Sequence, residues 1–271
     1  MIQMKYSSFH THSTFCDGAN TPEEIILQAI KSGCPSIGFT SHSPMPFQTD
    51  WCMSESDERA YRFYIRELKE KYCGQINVYL GIELDYYSQT EVNEYDYVIR
   101  SAHFIQKNGH FLPIDESKSS QLKTVAEYYD GDFSSFYQDY YSVMSRIAVD
   151  CRCDIIGHFD LITKFNEGDQ LFDTCSDKYK TCVYNALDAI FATASSPLVF
   201  ELNTGAISRG YRSAPYPSSA ILKYISENYG NNCAFIVTSD AHNAENLLFN
   251  FETASALISQ YGLNEIYQPI M

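Results

Sequence analysis

The sequence predicts an α/β protein whose parallel strands close into a TIM-like barrel of seven strands. Two observations carry this. Short apolar, β-branched runs alternate with helix-like segments along the whole chain, the pattern of a parallel sheet with helical crossovers. The chain also has 271 residues, 45% of them hydrophobic, which suits one large core, and at that length a closed barrel fits better than an open sheet. There is no internal repeat, low-complexity tract or Pro/Gly linker, so residues 1–271 are expected to form a single domain.

The first apolar run is Phe9–His12. The helix-like stretch TPEEIILQAIKSG (21–33) follows, with Thr21 as cap, Pro22 in the first turn, early acids and a terminal Gly33. The second run, PSIGFTSH (35–42), leads to a helical segment over 56–72. The third and fourth runs, INVYLGIELD (76–85) and YDYVIRSAHF (95–104), come next. Residues 106–132 have less periodicity and are expected to form an elaborated loop over one end of the sheet. A helix over 133–149 precedes the fifth run, CDIIGHFD (153–160). Another over 177–194 precedes the sixth, PLVFELNT (197–204). A third over 217–230 precedes the seventh, CAFIVTSDAH (233–242), and a final helix is expected over 244–262.

Composition excludes several classes. With 19 Lys+Arg against 34 Asp+Glu the formal charge is −15, which disfavours general binding to nucleic acid backbones, and no basic stripe with interleaved aromatics is present. No apolar run of about 18 residues predicts a membrane span. The N-terminus lacks the basic-then-apolar pattern of a signal peptide. A cytoplasmic protein is expected, with no nucleic acid or membrane partner; the sequence leaves its oligomeric state open. Nine cysteines, an odd number with no CxxC pair, read as reduced thiols.

The histidines carry the functional signal. His10 and His12 end the first run, His42 the second, and His103 lies at the end of the fourth. His158 is in the fifth and His242 closes the last, so six of the seven histidines fall at strand C-termini. That is the end of a parallel barrel where reactive groups gather. Glu83 closes the third run, Asp240 stands two residues before His242, and Asp17 follows His12 within one loop. His110, in KNGHF, fits no strand end and reads as a loop histidine. Alternate residues of an extended chain share a side, so His10 and His12 project together. Taken singly, each motif also has an ordinary structural reading. Taken jointly, six His, two Asp and one Glu at one end of one sheet exceed what one ion needs. They suit two or three divalent metals such as zinc, manganese or iron.

These motifs, HTHSTFCDG, GFTSHSP, GIELDY, SAHF, GHFD, ELNTG and SDAH, resemble in order and spacing those of the PHP superfamily. Within it, IGFTSHSPMPF, the ELNT…YP segment and the length are most similar to the monofunctional histidinol-phosphate phosphatases of histidine biosynthesis. The resemblance implies a distorted seven-stranded (β/α)7 barrel with its metals at the C-terminal end of the strands. It implies one metal on His10, His12, Glu83 and Asp240, a second sharing Glu83 and adding His103 and His158, and a third on Asp17, His42 and His242. It implies that a metal-activated hydroxide hydrolyses L-histidinol phosphate to L-histidinol and phosphate. Paired cations would overcome the chain's negative charge and hold a phosphate dianion.

For phosphate contacts, Arg209 in NTGAISRGYR is the first choice, as a catalytic and substrate-binding cation, and Arg212 the fallback. Family members often carry an arginine shortly after GHxD; here GHFDLITKF places Thr163 or Lys164 there. Asp160 is expected either to orient His158 or to transfer a proton to the leaving group. The alternatives are a phosphoesterase acting on a nucleotide, sugar phosphate or phosphotyrosine, and a non-catalytic metal-stabilised module.

Overall fold

A computed structural model of the chain describes residues 6–149, 151–193 and 197–270. In chain order the elements are α1 (Pro22–Lys31), β1 (Ser36–Phe39), α2 (Glu55–Lys71), β2 (Asn77–Asp85), β3 (Tyr97–Ser101), β4 (Phe104–Lys107) and β5 (His110–Pro113). They continue with α3 (Lys118–Tyr128), α4 (Phe133–Met144), β6 (Ile155–Ile156), α5 (Asp177–Thr193), β7 (Leu198–Asn203) and α6 (Gly205–Ser208). The chain ends with α7 (Ser219–Asn228), β8 (Cys233–Thr238), α8 (Phe251–Gln260) and β9 (Asn264–Ile266). The helix expected over 177–194 is present to Thr193; Ala194 lies outside the described residues.

Seven strands form one curled parallel sheet in the order β1-β2-β3-β6-β7-β8-β9. The fold class is as expected, but the membership differs at both ends. Phe9–His12 is not a ladder strand. Residues 8 and 11 make isolated parallel bridges, Ser8 to Ile37 of β1 and Thr11 to Ala241 beyond β8. The seventh strand is β9 instead, a short pairing with Ala234–Ile236 in a stretch whose only apolar residue is Ile266. A closed ladder is therefore replaced, among the described residues, by a half-barrel in which the N-terminal segment joins β1 to the residues just beyond β8.

Residues 106–132 are also more ordered than expected. β4 and β5 form an antiparallel hairpin turned at Asn108 and Gly109, both at positive φ, and α3 follows. His110 begins β5 and is exposed.

Local chemistry explains the helices. At α1 the Thr21 side chain accepts from the Glu24 amide and Glu24 returns a bond to Thr21, with Pro22 beside them, a complete capping box. Tyr137, Tyr140 and Tyr141 of α4 are buried; with Tyr129 they join the largest apolar cluster, against α5 and β7.

Inside the half-barrel the alternation of each strand decides what meets at the centre. Phe9, Tyr97, Ile99, Ile155, Val199, Ala234 and Ile236 form an apolar floor. One step towards the C-terminal end, the same alternation brings in Glu83, Ser101, Glu201 and Thr238, all buried. The centre thus changes from apolar to ionisable within one layer of side chains.

Candidate metal centre

Glu83, near the end of β2, stands in the middle of the histidines, and its two oxygens face different sets. Oε2 lies 2.8 Å from His42 Nδ1, 3.3 Å from His10 Nε2 and 3.5 Å from His12 Nε2. Oε1 lies 2.8 Å from His158 Nε2 and 3.4 Å from His103 Nε2. Asp240 Oδ1 approaches His12 Nε2 at 3.1 Å and His10 Nε2 at 3.7 Å. Asp17 reaches His242 Nε2 at 3.2 Å through Oδ2, and His42 Nε2 at 3.7 Å through Oδ1. All nine residues singled out in the sequence meet in this one cluster.

The backbone explains how. The N-terminal segment is held on one side by Gly38 N–H to Ser8 O (2.8 Å) and on the other by His12 N–H to Ala241 O (2.9 Å), so His10 and His12 enter from the seam between β1 and β8. The loop after His12 doubles back tightly. A Cβ at Gly18 would lie 2.4 Å from the Ser13 nitrogen, so only glycine allows the turn that returns Asp17 to the cluster. Asp240 has φ 46°, a left-handed conformation uncommon for a residue with a side chain. Gly205 packs against it: a Cβ there would come within 2.8 Å of the Asp240 Cβ.

The donor set fits a divalent cation. His10 Nε2, His12 Nε2 and Glu83 Oε2 are buried with no hydrogen-bond partner among the described residues, an arrangement that is costly unless something else satisfies these atoms. Three overlapping groups present ligand atoms within 4.8 Å of one another: His10–His12–Glu83, His42–Glu83–His103 and His12–Asp17–His42–His242. Imidazole and carboxylate donors in that mixture suit zinc, manganese or iron.

The electrostatics agree. Burial opposes ionisation of Glu83, but His42, His10 and His103 outweigh it and hold the carboxyl well below its usual range. Burial likewise opposes charging His103, yet Glu83 and then Asp85 hold its pKa up at about 9. His10 is raised in the same way, chiefly by Glu201 and Glu83 against burial. His12 goes the other way: burial, with His242 and His42 alongside, pushes it down to about 3.

Above the cluster opens a cavity of ≈ 300 Å³ whose wall includes Asp17, His42, Trp51, His103, Asp115, Glu116, Lys164, Arg209 and His242. Arg209 Nη2 donates to Asp240 Oδ2 at 3.0 Å, and its Nη1 lies 2.7 Å from His242 Nδ1. Lys164 Nζ donates to Asp115 Oδ2 at 3.0 Å.

Asp160 and Arg212 are placed elsewhere. Asp160 Oδ2 accepts from the Ser218 amide at 3.1 Å, and His158 Nδ1 is buried with no hydrogen-bond partner among the described residues, so Asp160 does not orient that ring. Arg212 donates to Thr163 Oγ1 and lies over the Tyr216 ring. Both residues line a second cavity of ≈ 330 Å³. The reason is the 3-10 turn at Leu161–Thr163. In such a turn residues three apart share a side. Leu161 and Lys164 therefore face the histidine cavity, while Asp160 and Thr163 face the other one.

Sequence reasoning missed three residues of the site. Glu201 lies beneath His10, with Oε2 2.7 Å from His10 Nδ1. Asp85 Oδ2 lies 3.3 Å from His103 Nδ1. Trp51, the sole tryptophan, sets its ring 4.5 Å from that of His42. The signal for Glu201 was present: it is the one charged residue in PLVFELNT.

A family profile described as the PHP domain matches residues 8–205. The chain belongs to the PHP domain family. A Deinococcus radiodurans protein named "Probable histidinol-phosphatase" is 29% identical over 264 residues, spanning 93% of this chain and 92% of its own. A Listeria monocytogenes crystal structure superposes with a TM-score of 0.74 at 20% identity, covering 91% of this chain and 99% of that one. A Lactococcus lactis histidinol phosphate phosphatase, solved with zinc, L-histidinol and phosphate, gives a TM-score of 0.67 at 17% identity over 98% of this chain and 99% of its own. These likenesses establish the shared PHP fold, and no helix among the described residues is long and apolar enough to cross a membrane.

Proposed function

We propose that this chain, as one PHP-type domain, is a metal-dependent phosphomonoester hydrolase that converts L-histidinol phosphate to L-histidinol and phosphate. The observation that carries this reading is the convergence of His10 Nε2, His12 Nε2 and Glu83 Oε2, buried and without hydrogen-bond partners among the described residues, beneath a cavity of ≈ 300 Å³. The name borne by the Deinococcus relative and the ligands held by the Lactococcus protein support the substrate. The half-barrel reads as the distorted (β/α)7 form, with metals at the C-terminal end of its strands.

His10, His12, Glu83 and Asp240 would hold one divalent ion, Glu83, His103 and His158 a second, and Asp17, His42 and His242 a third. Bound there, such ions supply the positive charge that neutralises a phosphate dianion and lower the pKa of water towards neutrality. The chain's own residues do the rest. Glu83 offers one oxygen to each of two histidine sets, which fixes the spacing between them. Arg209 brings a cation to the cavity wall, where it meets the phosphoryl oxygens, and Lys164 adds a second charge beside it. Asp115 and Glu116 give the same wall an acidic side, suited to the ammonium group that histidinol phosphate carries at its other end. Trp51 closes the wall next to His42 and His103 and keeps water away from that side.

The test is phosphate release from L-histidinol phosphate, run beside other monoesters on metal-loaded protein, chelated protein and His12→Ala. Selective release that chelation and the substitution both abolish is the expected result. Equal turnover of other esters would keep the hydrolysis and sink the substrate. Bound metal with no release from any ester would mark a non-catalytic module.

A further inference from the structure

Glu201 is fully buried on β7, directly above the apolar floor residue Val199 on the same face of the strand. An ionised carboxylate buried among Val, Ile and Phe is costly unless each lone pair is used, and packing alone would be served by leucine. Here both oxygens are occupied. Oε2 contacts His10 Nδ1 at 2.7 Å and accepts from Thr238 Oγ1 at 2.8 Å. Oε1 accepts from Asn203 Nδ2 at 2.9 Å and from the His158 backbone N–H at 2.5 Å. One carboxylate thus ties together the N-terminal segment, the turn after β6, and strands β7 and β8.

The His158 N–H, Asn203 Nδ2 and Thr238 Oγ1 all donate to its oxygens, so the carboxylate is the acceptor on every side, as an ionised carboxylate must be. His10 Nδ1 is therefore the protonated ring nitrogen. In the neutral ring Nε2 then carries a lone pair, and it faces Glu83 Oε2 at 3.3 Å and Asp240 Oδ1 at 3.7 Å. Three acceptors facing one another repel unless a proton or a metal cation stands among them. His158 offers the contrast: its Nδ1 is buried with no hydrogen-bond partner among the described residues, and what fixes it is its own amide bond to Glu201.

We propose that Glu201 is the positioning residue of the metal centre, setting the His10 tautomer through Nδ1 and anchoring His158 through its amide. This rests on the metal-dependent reading above. Partners of this kind typically tune metal affinity by roughly 10- to 100-fold.

The experiment compares metal content and affinity of wild type and Glu201→Gln by zinc and manganese titration with elemental analysis, with circular dichroism to show that the variant is folded. Glutamine keeps the shape and the acceptor for His10 but loses the charge, and its amide group meets donors on the other side. The expected result is a folded variant that binds metal roughly 10- to 100-fold more weakly. A folded variant with wild-type affinity and stoichiometry overturns the proposal and leaves the hydrolase reading intact. Wild-type protein that binds no metal overturns both. Should the variant not fold, ring-nitrogen NMR of metal-loaded wild type decides, with His10 assigned from the signal lost in His10→Gln. Protonation at Nδ1 supports the proposal, and protonation at Nε2 overturns it.

Discussion

Arg209 donates through Nη2 to Asp240 Oδ2 across 3.0 Å, joining the loop after β7 to the loop after β8 at the edge of the histidine cluster. Burial opposes a charge on either group, yet each stabilises the other: Asp240 raises the Arg209 pKa, and Arg209 is the main influence depressing that of Asp240. Asp240 would share its carboxylate with a bound divalent ion, and Arg209, on the wall of the same cavity, would then be the cation that faces a phosphoryl group. Arg209→Met should lower kcat/KM on the order of 100-fold, the usual effect of removing one charge-stabilising donor, with metal content retained. Steady-state kinetics with elemental analysis checks this, and unchanged kcat/KM would remove Arg209 from the phosphate site.

Metal-free protein should lose stability as pH rises from about 6.5 to about 9. His103 has its pKa raised to about 9 in the fold, against about 6.5 in the unfolded chain. Its contribution is complete below 6.5 and disappears as the folded group deprotonates; it amounts to about 3 kcal/mol. His10 is shifted in the same direction. His12, depressed to about 3, acts only on the acid side of 6.5, where the unfolded chain takes up a proton that the fold refuses. The half-buried Cys16, its thiol raised to about 11, adds a loss of the same sign above about 8.5. Thermal melts from pH 6 to 9 should show the decline, and saturating zinc should remove the histidine part of it. A flat profile in the metal-free protein would contradict the charge arrangement described.

Gly205→Ala should weaken metal binding from outside the ligand set. The new Cβ would fall 2.8 Å from the Asp240 Cβ and 2.9 Å from the Ser239 carbonyl, and neither atom is the far end of a flexible side chain, so little room is left to yield. A stability loss of about 1–3 kcal/mol is expected, with reduced metal content in the folded fraction. Melting temperature and elemental analysis together test it. Wild-type values for both would mean that the β7–α6 turn relaxes freely.

Trp51 should report metal loading. Its ring centroid lies 4.5 Å from that of His42 and 5.2 Å from that of His103, and the chain has no other tryptophan. Adding zinc to chelated protein changes the charge next to the indole, so emission should shift and saturate with the metal stoichiometry. Trp51→Phe should abolish the signal while keeping the metal. Emission that ignores metal would place the ions away from His42 and His103.

The ligand cluster was legible because its residues are chemically distinctive and fall at the ends of strongly apolar runs. GIELD and SDAH announce both the strand and the group that it delivers. What escaped was whatever depended on pairing at long range. Phe9–His12 has the composition of a strand, but its neighbours are the start of β1 and the residues beyond β8, and sequence spacing does not encode which edges it joins. β9 escaped because three residues with one apolar side chain carry no periodicity. Asp160 and Lys164 lie four residues apart in GHFDLITKF, and only the pitch of the intervening 3-10 turn separates them to opposite cavities. Glu201 stood in plain view, but its purpose follows only from the four donors that surround it.

The join at residues 8–12 has a mechanical meaning. β1 and the residues beyond β8 are fastened to each other by a few backbone hydrogen bonds around a segment that also carries His10 and His12. An ion gripping those rings together with Glu83 and Asp240 would therefore act as a rivet through the closure itself. Extracting it should loosen the amides of residues 8–12 and 241 before those of the inner strands, so that the protein opens along the line where its chemistry is done.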